Sequence, residues 1–222
     1  PATGNITRYP MPAPDLRDPH TLIFDRTEEN IWFTAQQSNY VGRLNVATGK
    51  IDVVKLATPR ARPYGIAVDT KGRVWFNQFG VPKIATIDPK TLAVKEFDLP
   101  NERTRDRRIG LTSDGKVWYV DYTRGFLGRL DPATSKVDEW VNPAGAQSMP
   151  YAMTVDEHDR IWYVETGVQP NRLVGFDPRL GKVFSITPIA QSGGLTIRHM
   201  IYHAPTKSIW FGTDANTIGQ AR

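Results

Sequence analysis

Cysteine is absent from the 222 residues, which removes disulfides, thiolate metal sites and cysteine nucleophiles from consideration. Histidine is scarce, at four residues. No apolar run approaches the roughly 18 residues that a bilayer-spanning helix needs. No segment combines a helical apolar period with capping residues, so helices are not expected. The chain opens on Pro1 rather than Met, which predicts a processed or partial polypeptide. A net charge of +5 favours anionic partners. No aromatic-basic pattern of a nucleic-acid module appears, so neither nucleic acid nor membrane is an expected partner.

What is present in quantity is repetition. An Ile/Val-Trp-Phe/Tyr phrase recurs at Trp32, Trp75, Trp118, Trp162 and Trp210, at spacings of 43, 43, 44 and 48 residues. Behind the first four tryptophans come second runs, "YVGRLN", "KIATID", "FLGRLD" and "LVGFD", then turns such as "DPATSK". Third runs follow, "IDVVKL", "VKEFDLP", "VDEWVNP" and "VFSITPI". All are short, β-branched or aromatic, and bounded by turn residues, which makes them strands. Four strands per unit at this period predict the blades of an all-β propeller. The blades run over about 20–62, 63–105, 106–149 and 150–196, with 197–222 completed by 1–19. Head and tail match in phase, which fits a closed five-blade ring or five blades of a larger one. The tryptophans are expected between blades.

The loops of the two rims differ in character. The lower hairpins are repetitive, and His158 and His203 fall there as exposed turn residues. The upper connections carry Arg17, Arg60, Arg62, Arg103, Arg105, Arg107, Arg108 and Arg198 against Asp15, Asp18, Glu102 and Asp106. Two recurring positions are expected at the channel mouth. One precedes each first strand: His20, Tyr64, Arg107, Tyr151 and Arg198. The other closes each second strand: Ala35, Gln78, Asp121, Glu165 and Thr213. Converging polar side chains of this kind mark a binding site. Asp121 and Glu165, on successive blades, have the oxygen donors for a hard cation such as Mg²⁺ or Ca²⁺. They could equally pair with Arg107, Arg124 or Arg172.

The blade phrase "PYGIAVDTKGRVWFNQ…KIATIDP…VKEFDLP", with "IWFTAQQSNYVGRLN", resembles the streptogramin lyase family over essentially the whole chain. That resemblance implies a seven-bladed propeller and a Mg²⁺-assisted elimination that linearises a cyclic depsipeptide at its ester bond. It also implies a carboxylate two residues before a histidine, and a Glu closing the second strand of the same blade. Asp18-Pro19-His20 fits the first half, and Ala35 stands where the Glu is expected. Glu165 has the carboxylate, in a blade with Met149 and Tyr151, while His199 lies one residue beyond the matching position. The candidate catalytic residues are therefore His20, His199 and Tyr151. Tyr64, Gln78, Arg107, Arg108 and Arg198 are candidates for substrate binding, and Asp18, Asp121 and Glu165 for Mg²⁺. The expected ligand is an anionic or cyclic-peptide small molecule, opened by a lyase. The alternative is a non-catalytic propeller that captures an anion or a protein partner on its arginine-rich face. A periplasmic or secreted location is expected.

Overall fold

The computed structural model describes residues 3–190 and 196–222. The chain is a five-bladed, all-β propeller. The first blade comprises β1 (Pro19–Phe24), β2 (Asn30–Ala35), β3 (Tyr40–Asn45) and β4 (Ile51–Lys55). The second comprises β5 (Pro63–Val68), β6 (Val74–Gln78), β7 (Lys83–Ile87) and β8 (Val94–Asp98). The third holds β9 (Asp106–Leu111), β10 (Val117–Asp121), β11 (Phe126–Asp131) and β12 (Lys136–Val141). The fourth holds β13 (Pro150–Val155), β14 (Ile161–Glu165), β15 (Arg172–Asp177) and β16 (Lys182–Pro188). The fifth has three strands, β17 (Met200–His203), β18 (Ser208–Gly212) and β19 (Ile218–Ala221). Every sheet is an antiparallel meander in chain order. No helix among the described residues is long and apolar enough to cross a membrane.

The periodic tryptophans fill the gaps between blades. Trp32 packs with Ile66 and Phe76 of the second blade, and Trp75 with Ile109 and Tyr119 of the third. Trp118 packs with Met153 and Tyr163 of the fourth, and all three indoles are at most 2% exposed. Trp140, outside the series, stacks on Trp118 at 5.4 Å between ring centroids. Each such indole buries roughly 150–250 Å², so truncation to Ala costs about 3–5 kcal/mol. Trp162 lies partly buried against the fifth blade. Trp210, on the outer side of that blade, remains 37% exposed.

Two further devices recur among the blades. The Asp before a lower hairpin clamps both turn and indole: Asp69 accepts from the amides of Lys71 and Arg73 and from Trp75 Nε1 at 3.1 Å. Asp156 repeats this with His158, Arg160 and Trp162. In the first, third and fifth blades the third-strand glycine lies under an aromatic ring of the second strand. A Cβ on Gly128 would fall 2.0 Å from Tyr119 Cζ, so no larger residue fits without displacing the ring. His158 and His203 are exposed in the lower hairpins, as expected.

The expected completion of the fifth blade by residues 1–19 is corrected by the structure. Residues 3–18 form no strand. Met11, Ala13 and Leu16 instead pack against Phe33, Ala35 and Tyr40 of the first blade. Asp15 ties this segment to Tyr40 Oη at 2.9 Å and Lys55 Nζ at 2.5 Å. The hydrophobic contacts of the segment are thus local, with the blade that follows it. Residues 191–195, which lead into the fifth blade, lie outside the described residues.

Candidate functional site

The first strands of four blades share an irregularity at their upper ends. Pro63 pairs with Gln78 and Ile66 with Phe76, so Tyr64 and Gly65 together oppose Asn77. Tyr151 and Ala152 oppose Val164 in the same way, and Arg107 and Arg108 oppose Val120. In the first blade His20 is the extra residue, between the Pro19–Ala35 and Thr21–Thr34 pairs. A β-bulge of this kind re-aims the side chains it inserts. In three blades the bulge follows an elbow in which a left-handed residue precedes proline: Asp18 (φ 59°), Arg62 (φ 52°) and Met149 (φ 41°). Backbone of that kind is strained for non-glycine residues and persists where the surroundings impose it.

Elbows and bulges bring His20, Tyr64, Arg107, Arg108 and Tyr151 together at the axis. The His20 and Tyr64 rings lie 4.4 Å apart. The hydroxyls of Tyr64 and Tyr151 are hydrogen-bonded across two blades. The Arg107 guanidinium carbon stands 4.2 Å from the centroid of Phe79, 4.4 Å from Tyr122 and 4.7 Å from Tyr151. Arg108 lies 5.1 Å over Tyr64 and reaches Thr21 Oγ1 and the Arg198 carbonyl, each at 3.4 Å. His20 Nδ1 is 2.9 Å from the same Thr21 Oγ1.

Neither Arg107 nor Arg108 has a carboxylate partner among the described residues, and Arg107 Nε is buried without a hydrogen-bond acceptor. Aromatic faces and not acids therefore hold the two adjacent cations, by cation–π attraction. Burial lowers the Arg108 pKa, and the charge of Arg107 lowers it further. The His20 imidazole is also lowered, first by burial and then by Arg108 and Arg107, with Asp18 opposing. His199 keeps an exposed face, yet burial and Arg108 lower it too. Both imidazoles are thus poised to be neutral near pH 7. Tyr151 is pushed up to about 12, by burial and by its bond to Tyr64. Its phenol stays protonated and can only donate or share a proton.

Of the second set, Ala35, Gln78, Asp121 and Glu165 are fully buried, and each closes its second strand opposite the residue just before the bulge. Gln78 is fully buried and donates to Glu96 Oε1 at 2.8 Å. Asp121 Oδ1 accepts from the amides of Arg105, Thr123 and Arg124, and Arg124 Nη1 reaches Oδ2 at 3.2 Å. Arg124 in turn bridges to Glu139 at 2.8 Å. Glu165 pairs with Arg172 at 2.6 Å and accepts from the Ala144 amide. Arg198 points to Asp214 at 2.5 Å. Of the two fates open to Asp121 and Glu165, pairing with Arg124 and Arg172 is the one the structure displays. Asp18 sits half-buried beside His20. No group of three or more His, Asp or Glu among the described residues could hold a metal ion. The donor set therefore does not fit Mg²⁺.

Phe79 and Tyr122 were not anticipated at the site. Their only sequence mark is an aromatic residue directly after the second strand in two neighbouring blades.

Comparison with known proteins accords with this arrangement. Residues 1–173 match the model of the virginiamycin B lyase family. The chain belongs to that family. Virginiamycin B lyase from Staphylococcus aureus superposes with a TM-score of 0.83 at 25% identity, over 99% of this chain and 74% of the other. A streptogramin B lyase gives 0.82 at 26%, over 99% and 73%. Hydrazine synthase of Kuenenia stuttgartiensis, at 13% identity and a TM-score of 0.74 over 96% of this chain and 60% of the other, shares the fold alone. No curated protein matches the chain.

Proposed function

We propose that this virginiamycin B lyase family propeller captures an anionic small molecule in the axial cup, on the paired guanidiniums of Arg107 and Arg108. One observation carries this reading: two adjacent arginines converge on the axis with no carboxylate partner among the described residues, while Asp121 and Glu165 are committed to other arginines. A ligand carboxylate or phosphate would supply the missing counter-charge through charge-assisted hydrogen bonds. Tyr64 and Tyr151 add hydroxyls, and Phe79 and Tyr122 an apolar wall. Export to the periplasm or beyond is part of this reading, and cell fractionation tests it. Calorimetric titration with dicarboxylates and inorganic phosphate tests the binding. Affinity should fall with added salt and disappear in Arg107→Ala/Arg108→Ala; salt-independent binding, or none, would reject the proposal.

Family membership and the neutral His20 favour a second reading, ester opening by elimination. His20 would remove a proton from the carbon next to a carbonyl, a carbon–carbon double bond would form, and the ester oxygen would leave as a carboxylate. The two guanidiniums would stabilise the negative charge that develops on the carbonyl and on the leaving group. A variant of the Staphylococcus aureus enzyme has been solved with quinupristin, and that compound is the substrate to try. Turnover that vanishes in His20→Ala supports this reading, whereas binding without turnover leaves the first.

A further inference from the structure

The upper rim holds a second polar concavity, outside the axial cup and between the first and second blades. It has a volume of about 440 Å³ and is lined by Gln36, Gln37, Arg60 and Arg62. One wall is the turn after β2, and the other is the connection from β4 to β5. Asn39 fastens the two walls together. Its Nδ2 donates to the carbonyls of Leu56 and Thr58 at 3.2 and 2.9 Å, and its Oδ1 accepts from the Arg62 amide at 3.1 Å. Both walls run on into the cup. Arg62 leads through Pro63 to Tyr64, and its carbonyl accepts from the amide of Phe79, whose ring lies against Arg107. The other wall begins at Ala35, opposite Pro19, the residue before His20.

The fold does not call for arginine at these places. The fourth blade builds the same turn with Gln147, Ser148 and Met149. There the Gly167 amide donates to the Ser148 carbonyl at 3.0 Å, as that of Gly80 donates to Ala61 at 2.9 Å. A Cβ on Gly167 would fall 1.9 Å from the Gln147 carbonyl oxygen, and one on Gly80 equally close to that of Arg60. Met149 is left-handed like Arg62, at φ 41° against 52°. Arg60 is left-handed as well (φ 53°), so two strained residues flank the buried Ala61. Strain of this kind gathers at ligand clamps. Both arginines are exposed, and neither forms an ion pair among the described residues. Glu96, which Thr58 Oγ1 meets at 2.7 Å, is already held by Gln78 and Lys83.

We propose that this concavity is a second anion subsite and that the ligand is an acidic peptide. One of its carboxylates lies on Arg107 and Arg108, and another on Arg60 and Arg62. A guanidinium pairs with a carboxylate through two parallel hydrogen bonds. The amides of Gln36 and Gln37 both donate and accept, which suits the peptide groups between the two acids. Linking the acids gains affinity, because the second contact is intramolecular once the first has formed. The inference rests on the anion reading of the cup, whose failure would show at different residues.

Titration with acetylated and amidated oligoglutamates, from one residue to five, tests it. NMR of the Gln36 and Gln37 side-chain amides reports the concavity, and that of the Tyr64 and Tyr151 rings reports the cup. A single glutamate should move the tyrosine rings. Longer peptides should also move both glutamine amides and bind about tenfold tighter or more. Arg60→Gln/Arg62→Gln should remove this gain and leave the affinity for a single glutamate unchanged. Arg26→Gln/Arg103→Gln, which loses the same charge outside the concavity, should keep the gain. Glutamine amides that never move, or an equal loss in the two double variants, overturn the inference and leave the cup reading standing. Unmoved tyrosine rings overturn the cup reading, and the spanning ligand with it.

Discussion

Asp106 faces Asp121 directly across the β9–β10 pair, and of the two only Asp121 finds partners. Asp106 is wholly buried, and both its oxygens lack a hydrogen bond. Burial raises its pKa well above the ordinary carboxylate value and the charge of Asp121 adds to this, while Asn77 and Arg105 act in the opposite direction. The native state therefore keeps a proton that the unfolded chain releases near pH 4. Stability contributed by that proton is complete below pH 4 and is lost as pH rises towards the raised value. Asp106→Asn should flatten this dependence and unfold at higher denaturant than wild type at the upper end of the window. Parallel urea curves for the two proteins across pH would refute it.

Glu165 and Arg172 form a largely buried pair, and removing one member of such a pair leaves an uncompensated charge. Glu165→Gln should cost about 3 kcal/mol in chemical denaturation. Added Mg²⁺ should leave the Tm of the wild type unchanged. A rise in Tm would show that Glu165 and Asp121 exchange arginine for the cation.

Arg108 lowers the pKa of both His20 and His199. In Arg108→Gln both imidazole titrations, followed by NMR, should move to higher pH. If catalysis uses neutral His20, the acid limb of its rate profile should move up with the titration. Unmoved midpoints would place the guanidinium away from both rings.

The Asp69 clamp satisfies two amides, an indole and the Arg73 guanidinium at once. Asp69→Ala orphans the buried indole N–H and should cost roughly 1–3 kcal/mol. Trp75 fluorescence should report the loss at the lower hairpin. Asp156→Ala should behave alike through Trp162, and a cost below 1 kcal/mol would show that water replaces the carboxylate.

The blades were legible because indole spacing is a property of the chain alone. Trp32, Trp75 and Trp118 stand where the period puts them. The axial position was legible for His20, Tyr64, Arg107 and Tyr151, since each recurs at the start of a first strand, where the structure makes it the second residue of β1, β5, β9 or β13. The burial of Gln78, Asp121 and Glu165 was not legible, for a geometric reason. Strand alternation assumes an unbroken register, and the bulges add a residue that no sequence mark announces. The choice between metal and arginine rested on the β14–β15 register, which sets Arg172 opposite Glu165, and on the turn after β10, which brings Arg124 back over Asp121.

The elbows before β1, β5 and β13 have a consequence for how such molecules diversify. Side chains borne on a strained corner above the sheet take no part in holding the indoles between blades. Ligand chemistry can therefore drift from one relative to another while the scaffold beneath stays the same.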